Sequence, residues 1–370
     1  MMAHLQEQPL LALDTESDSY FRYYPRVCLI QLTAYADPAQ ADPTQVVDYL
    51  LDPLRLKRLD ELGALLADPA VQVIIHAAEN DIIILQRDFQ FRFRNVFDTQ
   101  LAARILGWPR SGLAAILQEH FGVVSNKRMQ LTDWGRRPLT AKQMHYAQLD
   151  THYLPALRER QILELQQAGR WEEAQEAFQA LEQVTYVPKE RDEMSFWQMK
   201  HTRDVPRDET GVLQELWLWR EKTAQRLDRP PFKVLNDRAL VEIVKARPSS
   251  RKDLAAIHGV SERQVQRFGR EILEALARGA SRPLPDFPEA HPRPDLRLEG
   301  ATARRYDALR RWRTQKAQER GVDPDIVFSN EILLAMARRA PRTLEELQRI
   351  PGVGPWKAKT YGPEILKLIG

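Results

Sequence analysis

From about residue 209 onward the chain carries the same unit twice. Set against itself without gaps at an offset of 93, Trp219-Arg220 falls on Trp312-Arg313, Ala224 on Ala317, Pro231 on Pro324, Val234 on Val327, Leu240 on Leu333 and Pro248 on Pro341. The match tightens where DLAAIHGVSERQVQRFGREIL at 253–273 lies over ELQRIPGVGPWKAKTYGPEIL at 346–366. A unit of about 70 residues is too long for a solenoid repeat and suits a small helical domain with its own core. No strand-like alternation interrupts this half, so two all-α domains are expected over 209–280 and 299–370. RPLPDFPEAHPRPD between them holds five prolines and predicts a semi-rigid linker over 281–298.

The first half reads differently. Short apolar, β-branched runs at 10–14 (LLALD), 27–33 (VCLIQLT), 45–50 (QVVDYL) and 71–77 (VQVIIHA) predict strands. Helical patterns cover 54–67, 81–89, 99–106, 112–121 and a long stretch at 140–168. Three strands in succession, then helix and strand in turn, predict an α/β domain over 1–190 whose mixed sheet has an antiparallel meander feeding parallel strands. Residues 191–208 are expected to link it to the first helical domain.

Charge divides along the same line. Residues 1–200 carry 21 Lys+Arg against 27 Asp+Glu, a net of −6, and residues 201–370 carry 33 against 24, a net of +9. A basic half attached to an acidic half suggests that one part attracts phosphate while the other gathers carboxylates. No apolar run of about 18 residues is present, which argues against a membrane role. The N-terminus does not read as a signal peptide, and the lone Cys28 within VCLIQL excludes an intramolecular disulfide and reads as a core thiol. A cytoplasmic monomer without an organic cofactor is expected.

Four carboxylates stand where a shared metal site would collect them. Asp14 and Glu16 sit two apart at the end of LLALD, a spacing that puts both on one face of a strand. Asp81 opens a helix after VQVIIHA. Tyr146 and Asp150 are four apart on a helix and share its face. Hard divalent cations prefer oxygen ligands of this kind, and two of them about 3.5–4 Å apart can activate water and neutralise a leaving oxygen. Taken singly, such elements also describe solvated turns; their order carries the argument.

In that order, LALDTES with YYPRVCLIQLT, IIHAAENDIIIL, FDTQLAARILG, LTDWGRRPLT and HYAQLDTHYL resemble the exonuclease motifs of the ribonuclease D family within the DEDD superfamily. The resemblance spans about 9–185, and the two repeats resemble the HRDC domains that follow the nuclease in that family. It implies a ribonuclease-H-like sheet in which Asp14, Glu16, Asp81 and Asp150 hold two Mg²⁺ or Mn²⁺ ions and Tyr146 orients the attacking water. The implied substrate is a free RNA 3′ end, above all in transfer RNA precursors. Ser17 follows the DTE triplet where the family often has an aromatic residue, which alters packing beside the terminal nucleotide.

Some readings remain open on the residues alone. Related exonucleases use a histidine five before the last aspartate; both His145 and Tyr146 are present, and the flanking motifs favour the tyrosine, leaving His145 and His152 as packing or surface residues. The GVG of IPGVGPWKAK resembles a helix-hairpin-helix turn whose amides, with Lys357 and Lys359, would contact phosphate. Lys127, Arg128, Arg136 and Arg137 flank Trp134, a mixture suited to holding single-stranded RNA. A 3′–5′ DNA exonuclease would need the same four carboxylates, and a non-catalytic RNA-binding protein on the same fold is the third alternative.

Overall fold

The structure is a computed structural model that describes residues 1–56, 58–188, 192–285, 298 and 300–369. Its first part runs α1 (Met2–Gln6), β1 (Leu10–Ser17), β2 (Val27–Tyr35), β3 (Val46–Leu51), α2 (Asp60–Leu66), β4 (Gln72–Ile75), α3 (Glu79–Phe89), β5 (Val96–Asp98), α4 (Thr99–Leu106), α5 (Leu113–Phe121), α6 (Ala141–His152), α7 (Leu154–Gln167) and α8 (Trp171–Leu181). Among the described residues the strands form one sheet of order β3-β2-β1-β4-β5. β1 and β3 pair antiparallel with β2, whereas β1–β4 and β4–β5 are parallel, so the meander-then-parallel expectation holds.

Alternation along β1 sorts its side chains between two helical layers. Leu11 and Leu13 enter a core with Leu62 and Leu66 of α2 and Ile82 and Leu85 of α3. Leu10 and Ala12 enter the opposite core, with Ala102 and Ile105 of α4, Leu157 of α7 and Phe178 of α8. Asp14 and Glu16 continue the row of Leu10 and Ala12, and thus face the layer that contains α6 and α7.

Three of the departures from sequence expectation have a local reason. α2 starts at Asp60 rather than 54, because the chain leaving β3 first turns about Asp52, whose carboxylate accepts the Leu54 N–H at 3.1 Å. The stretch expected as one helix over 140–168 is two, broken at Tyr153 ahead of Pro155, which has no N–H to continue the ladder. β5 spans three residues, too few for a period of two to show.

The second half is helical throughout its described length. The first copy comprises α9 (Thr210–Leu227), α10 (Pro231–Val234), α11 (Asp237–Ala246), α12 (Arg251–Ala255) and α13 (Glu262–Ala280); the second comprises α14 (Gly300–Arg320), α15 (Pro324–Val327), α16 (Asn330–Arg339), α17 (Leu344–Gln348) and α18 (Pro355–Ile369). The offset of 93 survives into bonding detail. Trp219 Nε1 donates to Glu271 at 2.9 Å and Trp312 Nε1 to Glu364 at 2.7 Å. The buried Arg220 donates to the Leu235 carbonyl at 3.0 Å, and Arg313 to the Phe328 carbonyl at 2.7 Å. Gly259 and Gly352, at φ 90° and 86°, supply the left-handed residue in the turn before each last helix.

The chain divides into two compact units. One joins Met1–Ser17 and Val27–Tyr186 to Leu296–Gly370, so the second copy packs with the sheet domain; the other joins Asp18–Arg26 to Val187–Asp295. Within the latter, the connection between β1 and β2 is tied to the first copy. Tyr23 donates its hydroxyl to Glu221 at 2.9 Å, and Asp228 takes Arg22 at 2.8 Å. Residues 192–208 also belong here, with Phe196 fully buried in the first copy's core. Most of the proline-rich segment, 286–297, lies outside the described residues. Among the described residues no helix is long and apolar enough to cross a membrane.

Candidate active site

The site is assembled from β1, α3 and α6. The β1–β2 register shifts between Glu16 and Ser17, an irregularity that re-aims the strand end just where its second carboxylate projects. α6 crosses the same face. It starts in a capping box, with the Thr140 side chain accepting from the Gln143 N–H and the Gln143 side chain reaching back. Its pitch is then fixed by Asp48 of β3, which takes Gln148 at 2.7 Å, His152 Nδ1 at 2.8 Å and the Thr33 hydroxyl at 2.6 Å, while Thr33 also bonds Thr151 at 2.7 Å. Held in this way, Asp150 faces β1, and one carboxylate oxygen each from Asp14, Glu16 and Asp150 lie within 4.8 Å of one another. A divalent cation can bridge oxygens at that spacing.

Asp81 arrives from the other side of β1. It lies in the first turn of α3, nearly buried, and accepts a short hydrogen bond from Thr15, the β1 residue whose side chain faces the α3 layer. It is outside the group of three mutually close carboxylates but near enough for its charge to act on all of them. The entry into α3 is clamped by Asp98, whose two oxygens accept the N–H groups of Ala77 at 3.0 Å and Ala78 at 2.8 Å. Asp98 also caps α4 through the N–H groups of Gln100 and Leu101.

Burial and mutual repulsion dominate the electrostatics. Burial, then the charges of Asp81, Asp150 and Glu16, hold the Asp14 carboxyl well above the usual range. Burial followed by Asp150 and Asp81 pushes Glu16 up to about 9. Asp81 and Asp150 rise to about 7, mainly through burial, partly offset by hydrogen bonds from Thr15 and Tyr146 respectively. Carboxylates whose ionised forms are disfavoured together constitute a site with too little positive charge, the condition that a bound cation relieves. Burial, then Asp150, Glu16 and Asp14, also raises the Tyr146 phenol.

Tyr146 and His145, open alternatives in the sequence, part company here. Tyr146 is buried against the carboxylates, and His145 is exposed. His152 is committed to Asp48.

The expected RNA-contacting residues need correction. Trp134 is fully buried with Cys28, Leu29, Tyr146 and Ala147, so it offers no stacking platform. Arg137 is spent internally: it pairs with Asp52 at 2.6 and 2.7 Å and donates to the carbonyls of Cys28 and Trp134 at 2.7 Å. Lys127, Arg128 and Arg136 remain exposed. Just after the second copy's GVG turn, the N–H groups of Trp356 and Lys357 at the start of α18 are taken by the Glu176 carboxylate of α8, at 2.5 and 3.3 Å, which pre-empts phosphate there. Lys357 itself is turned inward, donating to the Ile326 carbonyl at 3.1 Å, and its burial lowers the ammonium pKa; Lys359 stays exposed.

Two supporting residues escaped the sequence reading. Asp98 was detectable, since an aspartate before TQLAARIL carries an N-cap signal. Asp48 was not, because its partners on α6 lie 100 and 104 positions away.

The 3′–5′ exonuclease family model matches residues 1–166, and the HRDC domain model matches twice, at 209–276 and 302–369. Fold and site thus define an exonuclease domain followed by two HRDC domains. Ribonuclease D of Granulibacter bethesdensis is 30% identical over 98% of this chain and 88% of that protein, and ribonuclease D of Gluconacetobacter diazotrophicus is 31% identical over 100% and 89%. The chain belongs to the ribonuclease D family of 3′–5′ exoribonucleases. Escherichia coli RNase D, described as an exoribonuclease involved in structured RNA processing, shares the fold with a TM-score of 0.63 at 22% identity, over 100% of this chain and 95% of that one.

Proposed function

We propose that this exoribonuclease removes 5′-mononucleotides from RNA 3′ ends at the cluster of Asp14, Glu16, Asp81 and Asp150, with two Mg²⁺ or Mn²⁺ ions as cofactors. The observation that carries the reading is the convergence of Asp14, Glu16 and Asp150 within 4.8 Å, with Tyr146 buried beside them. When bound, such ions acidify water and neutralise charge on the scissile phosphate. The chain's own groups do the positioning. Asp14 and Glu16 are fixed by β1 in the middle of the sheet, and Asp150 by the bonds from α6 to Asp48. With its pKa raised, Tyr146 keeps its proton at neutral pH, so its hydroxyl orients the attacking water and does not serve as the base.

Precursors of structured RNA are the substrates we assign, following the role stated for the Escherichia coli relative, with transfer RNA foremost as the family resemblance implies. The test is digestion of matched RNA and DNA oligomers, with free or blocked 3′ ends, across a Mg²⁺ titration. Stepwise loss of mononucleotides from free RNA ends supports the assignment. Cleavage of DNA at an equal rate would move it to the DNA exonucleases, and no cleavage at any metal concentration would leave an RNA-binding protein.

A further inference from the structure

Gln31 lies in the middle of β2, wholly buried at 0% exposure, and among the described residues neither its amide nitrogen nor its amide oxygen has a hydrogen-bond partner. Buried side-chain amides are nearly always paired. An unpaired one destabilises a fold, and an apolar residue of the same shape in its place would remove that cost. Filling the core is therefore a poor account of a glutamine at this position, and its neighbours point to another.

The β1–β2 register sets Gln31 directly opposite Asp14. Opposed residues of antiparallel strands project from one face of the sheet with Cβ atoms about 4.5–5.5 Å apart, a gap that a glutamine side chain can span. That face is the one α6 covers. Two residues before Gln31, Leu29 packs with Tyr146 and Ala147; two residues after it, Thr33 bonds Thr151 at 2.7 Å. By alternation Gln31 enters the layer between these two contacts, under the stretch of α6 that carries Asp150. On the β3 side its partner in the register is Leu50, whose side chain offers no polar atom. The carboxylates also differ in what steadies them. Asp81 takes the Thr15 hydroxyl and Asp150 the Tyr146 hydroxyl, whereas Asp14 takes the backbone N–H of Thr15. Asp14 is thus the member of the cluster that faces an uncommitted amide across the ladder.

We propose that Gln31 is a positioning residue of the metal centre: its amide N–H donates to the Asp14 carboxylate when a divalent cation holds that carboxylate ionised, and so fixes the orientation of the ligand. A carboxylate that binds a metal has lone pairs to spare for such a donor, and a charged acceptor makes a stronger bond than a neutral one. The inference rests on the metal-dependent reading of the cluster and adds to it a residue outside the four carboxylates and Tyr146.

The test compares full-length wild type, Gln31→Met, Gln31→Leu and Asp150→Asn by Mn²⁺ titration calorimetry without RNA and by urea unfolding in EDTA. Methionine keeps the unbranched shape of glutamine and lacks its donor. Gln31→Met should leave the urea midpoint in EDTA unchanged or raised, and should weaken Mn²⁺ binding roughly tenfold or more. Gln31→Leu, which fills the site with a different apolar shape, should lose affinity alike. At subsaturating Mg²⁺, kcat on RNA should fall by a similar factor with KM for RNA close to wild type, and part of the loss should return as Mg²⁺ is raised. Unchanged Mn²⁺ affinity in Gln31→Met would overturn the proposal; a lowered urea midpoint beside it would make Gln31 a purely structural residue. Failure of the metal reading looks different. Wild type and Asp150→Asn would then titrate alike, whatever the Gln31 variants do, and both the reading and the inference built on it would fall.

Discussion

Trp134 and Tyr146 pack with ring centroids 6.2 Å apart and planes inclined at 42°, both buried. The indole forms the wall behind the phenol, and Arg137, anchored on Asp52, holds the Trp134 carbonyl in place. A residue that looked like an RNA platform therefore helps to fix the orientation of the candidate water-positioning hydroxyl.

Tyr146→Phe should lower the single-turnover rate on RNA on the order of a hundredfold, because the hydroxyl that orients water is lost. His145→Ala, on the exposed side of α6, should stay close to wild type. Single-turnover assays in saturating Mg²⁺ measure both. The reverse ranking would place this chain in the histidine subclass.

Trp134→Ala should destabilise the fold by about 3–5 kcal/mol, the usual loss for emptying a large core site. Trp134→Phe, which keeps most of the volume, should fold and bind RNA normally yet turn over more slowly, since Tyr146 loses part of its wall. Urea midpoints and the split between kcat and KM decide this. A wild-type kcat in a well-folded Trp134→Phe would show that the indole only fills space.

The carboxylate cluster should make metal-free stability fall with pH. Glu16, Asp81 and Asp150 have folded-state values of about 9, 7 and 7, above the ordinary carboxylate range. A raised folded pKa means that the folded state holds its protons longer than the unfolded state, so the contribution is intact in acid and is lost as pH climbs through those values. Tm in EDTA should therefore drop from about pH 4 to about pH 9, and Mg²⁺ should restore more of it at pH 8 than at pH 6. Asp14→Asn and Asp150→Asn should abolish turnover while flattening the drop. A pH-independent Tm in EDTA would contradict the electrostatic account.

Glu173→Ala should remove the carboxylate that neutralises Arg320. Glu173 is 1% exposed, and the variant leaves the half-buried Arg320 guanidinium with the Tyr361 hydroxyl in place of a carboxylate, a loss of about 1–3 kcal/mol. Glu173→Ala with Arg320→Met should recover much of that stability, because the orphaned charge goes too. A single variant as stable as wild type would mean that the second copy is held by its apolar contacts alone.

The sequence by itself determined the class of each half. Period-two runs gave the strands of the mixed sheet, the 93-residue offset gave two like helical domains, and DTE, the opening aspartate of α3 and Tyr146 with Asp150 marked the candidate site, because each signal lies within a few residues of chain. What needed the tertiary structure was every decision made by distant partners. Exposure of His145 against burial of Tyr146 depends on which way α6 is rolled, and Asp48 sets that roll from β3. Trp134 and Arg137 read as a cationic, aromatic loop until Asp52 and the core around Cys28 claim them. Two copies with the same hydrophobic pattern could not disclose which of their faces would be covered; α8 supplies Glu173 and Glu176 to one of them from about 150 to 180 positions away, a separation over which local sequence carries no information about contact.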